Sequence, residues 1–371
     1  MNSKLLLLLL ALLPIHAQNT QLQSPEILPD RRVTFRLAAP NADQVGVFID
    51  SMKANTQEPM AKNDDGVWSA TLGPLPPGIY IYHFIVDGLN IADPVNPKIK
   101  LRARTSASLL EIPGDPSEYC EPRDVPHGTM HINFHQATAL GGETREVWVY
   151  TPPGYELNST RRYPVLYLLH GSNDTPAGWS TVGRANFTLD NLLADKKARE
   201  MIVVTPFGHA VPFGASRDSG RQNTPEFEQY LLKDVLPMIE KKYRVAPGRQ
   251  NRAIAGFSMG GGHALHIGLG RLDLFSSVAA LSAGVPQDFE TRFASLLSDP
   301  QTTNRKLNLL WIACGKDDFL FEASQKLHAT LEARGIRHTY LPTEGAHTFN
   351  VWRAHFAELA PLLFRRPPPA P

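Results

Sequence analysis

At 371 residues the chain exceeds what one hydrophobic core ordinarily serves, so two domains are expected. Its 37 lysines and arginines nearly balance 36 aspartates and glutamates, which excludes a global field for drawing in nucleic acid or an anionic membrane. The only two cysteines, Cys120 and Cys314, exclude a disulfide framework, and Cys314, at the end of an apolar run, is expected to be buried as a small hydrophobe.

The chain opens with one positive charge, Lys4, an apolar run from Leu5 to Leu13 and a small residue at Ala17. These are the three parts of a secretory signal peptide over residues 1–17, giving a secreted or periplasmic mature protein. The run is too short to span a bilayer, and no cysteine follows it to carry a lipid.

Residues 25–112 carry short alternating runs: Val33–Leu37, Val45–Ile49, Val67–Leu72 and Ile79–Val86, the last ending at the turn signal Asp87-Gly88. Strands of this length between proline, glycine and asparagine clusters predict a small β-sandwich. Ala39-Pro40-Asn41-Ala42, Asp64-Asp65-Gly66-Val67-Trp68, Leu75-Pro76-Pro77-Gly78-Ile79-Tyr80 and Asp93-Pro94-Val95-Asn96 resemble the immunoglobulin-like early-set modules ahead of glycogen-branching and debranching enzymes. Trp68, Tyr80 and Tyr82 are candidates either for the sandwich core or for stacking on sugar rings. Repeated prolines without apolar periodicity mark 113–129 as a linker.

From 130 to 365 apolar runs alternate with helical patterns. Val165–Leu169, Met201–Val204, Arg252–Ala255, Val278–Leu281, Leu309–Ala313 and Thr339–Leu341 are expected as strands buried on both faces, with amphipathic helices such as Glu226–Tyr243 and Glu322–Arg334 between them. The alternation predicts a mostly parallel sheet with helices on both faces. Glu143–Tyr150 is expected to add an antiparallel edge strand. The proline-rich tail 366–371 is not expected to pack.

The strongest chemical signal is Gly256-Phe257-Ser258-Met259-Gly260, placed between a buried strand and a small-residue helix. A sharp strand-to-helix turn leaves no room for side chains on either side of the serine, hence the glycines, and the helix N-terminus behind it favours developing negative charge. A serine hydroxyl needs a base, and of thirteen histidines His347 lies just after the last predicted strand, where an α/β-hydrolase supplies it. His263 and His266, inside the helix after the serine, are expected to be packed or solvated helix residues. The acid should follow the strand Leu309–Ala313, at Asp317 or Asp318. Gly-x-x-Asp spacing favours Asp318 and leaves Asp317 to cap the helix near Glu322. The oxyanion donors are expected to be the backbone amides of Met259 and of Ser172, in His170-Gly171-Ser172.

No His-Glu-x-x-His or paired Cys-x-x-Cys occurs, and Gly260-Gly261-Gly262 lacks the Gly-Lys-Ser/Thr ending of a phosphate loop, so no metal or cofactor is expected. The three glycines are expected to let the helix approach the sheet.

The segments Leu168–Ser172, Val182–Asn186, Asp190–Leu192, Ile202–Pro206, Gly256–Gly261 and Gly345–Arg353 resemble the secreted esterases of carbohydrate esterase family one, feruloyl and acetylxylan esterases among them, and the related enterochelin esterases. The resemblance implies an α/β-hydrolase that cleaves esters attached to plant cell-wall polysaccharide. The alternatives are a siderophore esterase with the same triad or an inactive polysaccharide-binding protein. Trp179, Phe207, Phe213 and Trp352 are candidates equally for an aromatic acyl pocket and for core.

Overall fold

The structure, a computed structural model, describes residues 22–50, 57–114, 119–157, 160–212 and 223–365. The expected signal peptide, Phe213 and the proline-rich tail lie outside these. Among the described residues no helix is long and apolar enough to cross a membrane.

The first part is the expected sandwich. One sheet runs Glu26–Ile27, Val33–Ala38, Val67–Leu72, Ala61–Lys62, and the other centres on Val45–Ile49, Gly78–Val86 and Ala107–Ile112. Their pleats turn Val33, Phe35 and Leu37 inward against Val45, Val47 and Ile49, with Trp68, Tyr80, Tyr82 and Phe84 filling the remainder. Trp68, Tyr80 and Tyr82 therefore belong to the core and are not a sugar-stacking surface. Strand Gly78–Val86 is buried on both faces over most of its length, because its alternate residues Ile79 and Ile81 join the core of the second part. Each such isoleucine contributes roughly 1.5–3 kcal/mol on burial, so the sandwich is seated by its central strand.

The second part is an eight-stranded sheet formed by β1 (Thr129–Ala137), β2 (Glu143–Thr151), β3 (Val165–Leu169), β4 (Ile202–Pro206), β5 (Arg252–Ser258), β6 (Ser277–Ala283), β7 (Leu309–Gly315) and β8 (Thr339–Thr343), in the order 1-2-4-3-5-6-7-8. From β4 to β8 every pairing is parallel. Apolar runs form β3 to β7 because both faces are covered: Val165, Tyr167 and Leu169 enter one core, Leu166 and Leu168 the other. Strand β8, expected to be buried on both faces, is instead an edge strand with no fully buried residue, because among the described residues nothing pairs beyond it in the sheet. This is an α/β-hydrolase sheet.

A second strand expectation is corrected. Glu143–Thr151 is antiparallel, but it lies second in the sheet between β1 and β4, and the edge is β1. The pattern of β1 is inverted, with Ile132 and Phe134 exposed while Asn133 is buried, bonded to the Tyr243 hydroxyl and the Lys242 ammonium. The helix expected over 226–243 spans 223–242 and widens into a π-helical turn at Leu231–Val235.

Candidate active site

Strand β5 ends directly in the helix Met259–Gly270, with Ser258 at the junction held at φ 55°, ψ −119°. That backbone is strained for a residue with a Cβ and persists only because its surroundings leave no alternative. A Cβ on Gly256 would sit 2.5 Å from the Gly260 carbonyl oxygen, and one on Gly260 would sit 2.5 Å from that of His170. Gly262 is pressed in the same way on the Gly284 carbonyl, so the glycine run lets the helix lie against the strands.

His347 stands in the turn between β8 and the helix Phe349–Leu359, and Asp318 in the turn after β7. The His347 Nδ1 is 2.7 Å from Asp318 Oδ2, with the carboxylate side chain fully buried. Its second oxygen accepts the Leu320 N–H at 2.8 Å. Burial alone would raise the Asp318 pKa, yet the hydrogen bond and charge of His347 with the Leu320 amide hold it below the usual carboxylate range. The carboxylate therefore fixes Nδ1 as the protonated nitrogen and leaves Nε2 free to act as a base. Asp317 is exposed, and the helix Phe321–Ala333 has no side-chain cap, so the capping role expected of Asp317 is not realised.

Ser258, His347 and Ser172 line one cavity of about 350 Å³. Gly171 packs so tightly on Phe257 that a Cβ would meet its ring at 2.4 Å, which draws the loop after β3 against the Ser258 turn. Met259 occupies the first helical position after Ser258, where backbone N–H groups have no partner within the helix. His170 holds the loops together: Nε2 accepts the Gly208 N–H at 2.8 Å while Nδ1 lies 2.8 Å from the Gly171 oxygen.

The sandwich reaches this loop. Asn173 receives the Ala103 and Arg104 amides on its backbone and side-chain oxygens, and Lys100, almost fully buried, forms an ion pair with Asp174. Phe48, Asp50, Ile81, His83, Lys100 and Arg102 thus form the cavity wall opposite the serine.

The aromatic candidates divide. Trp352 lines the cavity, stacked on Phe257 at 3.9 Å and edge-on to His347 at 4.8 Å. Trp179 is core, its indole donating to the Leu169 oxygen, and half-buried Phe207 packs on His170 and His209. His263 is buried and stacked on Phe227, and His266 lies 3.2 Å from Glu228. Both cysteines are buried.

Residues 137–363 match the esterase family model described as "Putative esterase", well over half of the chain. The chain belongs to this esterase family. Residues 23–101 of the esterase match carbohydrate-binding module 48, the isoamylase N-terminal domain. It is 31% identical over 350 residues, 92% of its length, to an endo-1,4-beta-xylanase/feruloyl esterase of Xylanibacter ruminicola, and spans 46% of that relative. A solved ferulic acid esterase is similar at 28% identity and a TM-score of 0.56, over 64% of this chain and 98% of its own. The enterobactin esterase of Shigella flexneri shares the fold over 90% of this chain and 92% of its own, with a TM-score of 0.64 at 20% identity.

Two residues beside the esterase's Ser258, Asp318 and His347 escape sequence reasoning. Ser282, buried near the end of β6 with φ 43°, accepts the Trp352 indole N–H at 3.1 Å and faces Cys314, tying the floor beneath Asp318 together. A polar residue closing a buried strand beside the Ser258 turn was the available signal. Phe319, 69% exposed with its ring 4.5 Å from that of His347, places an aromatic face at the rim. Its position one residue after Asp318 is the only hint.

Proposed function

We propose that this chain is an exported serine esterase that cleaves feruloyl or acetyl esters on xylan-type polysaccharide through an acyl-enzyme. The single observation that carries the mechanism is the pairing of buried Asp318 with His347, which opens onto the cavity that Ser258 lines. His347 Nε2 takes the Ser258 hydroxyl proton as the oxygen attacks the ester carbonyl, and the amides of Met259 and Ser172 hold the resulting oxyanion. Collapse expels the alcohol, which receives that proton from His347. Water then adds to the acyl group, giving a proton to His347, and release of the acid returns the proton to Ser258. Asp318 stays ionised and stabilises the imidazolium at each stage. The substrate class is supported by the Xylanibacter relative and the ferulic acid esterase fold.

A second reading, a siderophore ester as substrate, is favoured by the enterobactin esterase, whose fold covers the sandwich as well as the hydrolase part. Purified protein offered methyl ferulate, acetylated xylan and enterobactin separates the two. Turnover of either of the first two, reduced about 10⁶-fold by Ser258→Ala, is the expected result. Undiminished turnover in that variant would remove Ser258 from the mechanism, and turnover of enterobactin alone would select the second reading.

A further inference from the structure

The cavity wall built by the sandwich carries charge that the acyl-transfer steps do not use. Lys100 is consumed by its ion pair with Asp174. Asp50, at the end of strand Val45–Ile49, accepts the Ile81 amide at 3.1 Å and lies in the field of two guanidiniums, Arg102 and buried Arg353. His83 beside them is kept neutral, its pKa lowered to about 4 by burial and by Arg102. Arg102 itself is half-buried on the cavity wall, and burial lowers its pKa against the pull of Asp50 and Asp174. Among the described residues it has no hydrogen-bond acceptor and no carboxylate within ion-pair distance.

Three cations, Lys100, Arg102 and Arg353, therefore stand against at most two negative charges, Asp174 and an Asp50 whose pKa burial raises to about 7, while Asp318 is turned away to His347. The excess is at least one positive charge, and Arg102 is the group with donors to spare. A guanidinium presents its N–H groups as a planar fork that matches a carboxylate in two parallel bonds, and a partly dehydrated cavity strengthens such a pair over one in open water. A dianion would meet Asp50 and Asp174, so a single negative charge fits best.

We propose that Arg102 is a specificity-determining residue, reading a carboxylate carried by the ester substrate. The proposal rests on the esterase reading and extends it, since the substrate becomes an ester on, or of, an acidic residue of the chain that the enzyme attacks.

Two matched ester pairs test this and show on which side of the scissile bond the carboxylate lies. Acetoxybenzoate against acetoxybenzamide places it on the alcohol, and the nitrophenyl monoester of glutaric acid against nitrophenyl pentanoate places it on the acyl group. In one pair the ratio of kcat/KM, charged over neutral, is expected to fall about tenfold or more in Arg102→Gln, through KM, with Arg102→Lys intermediate. Equal ratios in the variant and the unsubstituted protein, for both pairs, overturn the proposal. Benzoate should also compete with phenyl acetate more tightly than benzamide does in the unsubstituted protein, and equal competition overturns it with no variant involved. Failure to hydrolyse any neutral ester is a different result, one that removes the esterase reading and this one with it.

Discussion

The two sides of the cavity are built by opposite means. On the hydrolase side, backbone meets backbone: Gly256, Gly260 and Gly262 exist to let a strand, a loop and a helix touch, and Ser258 is strained into place by that contact. On the sandwich side, side chains project across a gap, with Arg102, Asp50 and His83 lining space rather than filling it. The first construction holds Ser258 in place and leaves no room for an added atom at those glycines, whereas the second leaves open space beside Ser258 and His347.

The largest expected contrast lies between neighbours. Asp318→Asn is expected to lower kcat about 10⁴-fold, because the imidazole loses the partner that orients it and supports its charge. Asp317→Asn, at an exposed position, is expected to change kcat less than about twofold. Steady-state kinetics on nitrophenyl acetate checks both, and a large loss at Asp317 would reverse the assignment.

Next come losses of stability. Lys100→Met leaves Asp174 buried without its cation and is expected to cost about 3–5 kcal/mol, visible in urea unfolding together with weaker turnover as the loop carrying Ser172 loosens. Gly260→Ala forces a methyl group onto two carbonyl oxygens of the β3 end and is expected to cost about 1–3 kcal/mol. A wild-type midpoint in that variant would show that the helix yields, and that close packing is not what holds Ser258.

A smaller and graded effect is expected from pH. His83, His209 and His355 are lowered to about 4 and His263 to about 3, in each case chiefly because burial disfavours the charged ring. In the unfolded chain such rings titrate near 6.5, so between pH 6.5 and 4 the unfolded state binds more protons and stability falls as pH falls. Asp50, raised to about 7 by burial, acts in the opposite sense over much of that window, as one group against four. Thermal melts at about pH 7 and about pH 4.5 should differ, with the lower Tm on the acid side. Equal values would mean that the buried rings are hydrated.

What was legible from the residues follows the same division. Ser258, His347 and Asp318 were nameable because a tight turn demands glycines in sequence, and because strands buried on both faces announce themselves as apolar runs. Strand β1 was not, because its alternation runs backwards, with Phe134 outside and Asn133 inside. The charged wall was not either: Asp50, His83 and Arg102 sit in three separate stretches with no shared motif, and only folding brings them opposite Ser258. The roles open for Trp68, Tyr80 and Tyr82 were resolved by tertiary packing for the same reason. An aromatic in a strand looks alike in sequence whether it faces sugar or its own sheet.

The strand Gly78–Val86 limits how this chain can be rebuilt. Its odd-numbered isoleucines grip the hydrolase while its even-numbered tyrosines grip the sandwich, so adding or deleting a single residue ahead of Ile79 would exchange the two sets and spoil both cores at once. The module is therefore not a cassette that can be clipped off or traded without resurfacing its host, and shuffling of such parts would have to carry the matching patch along.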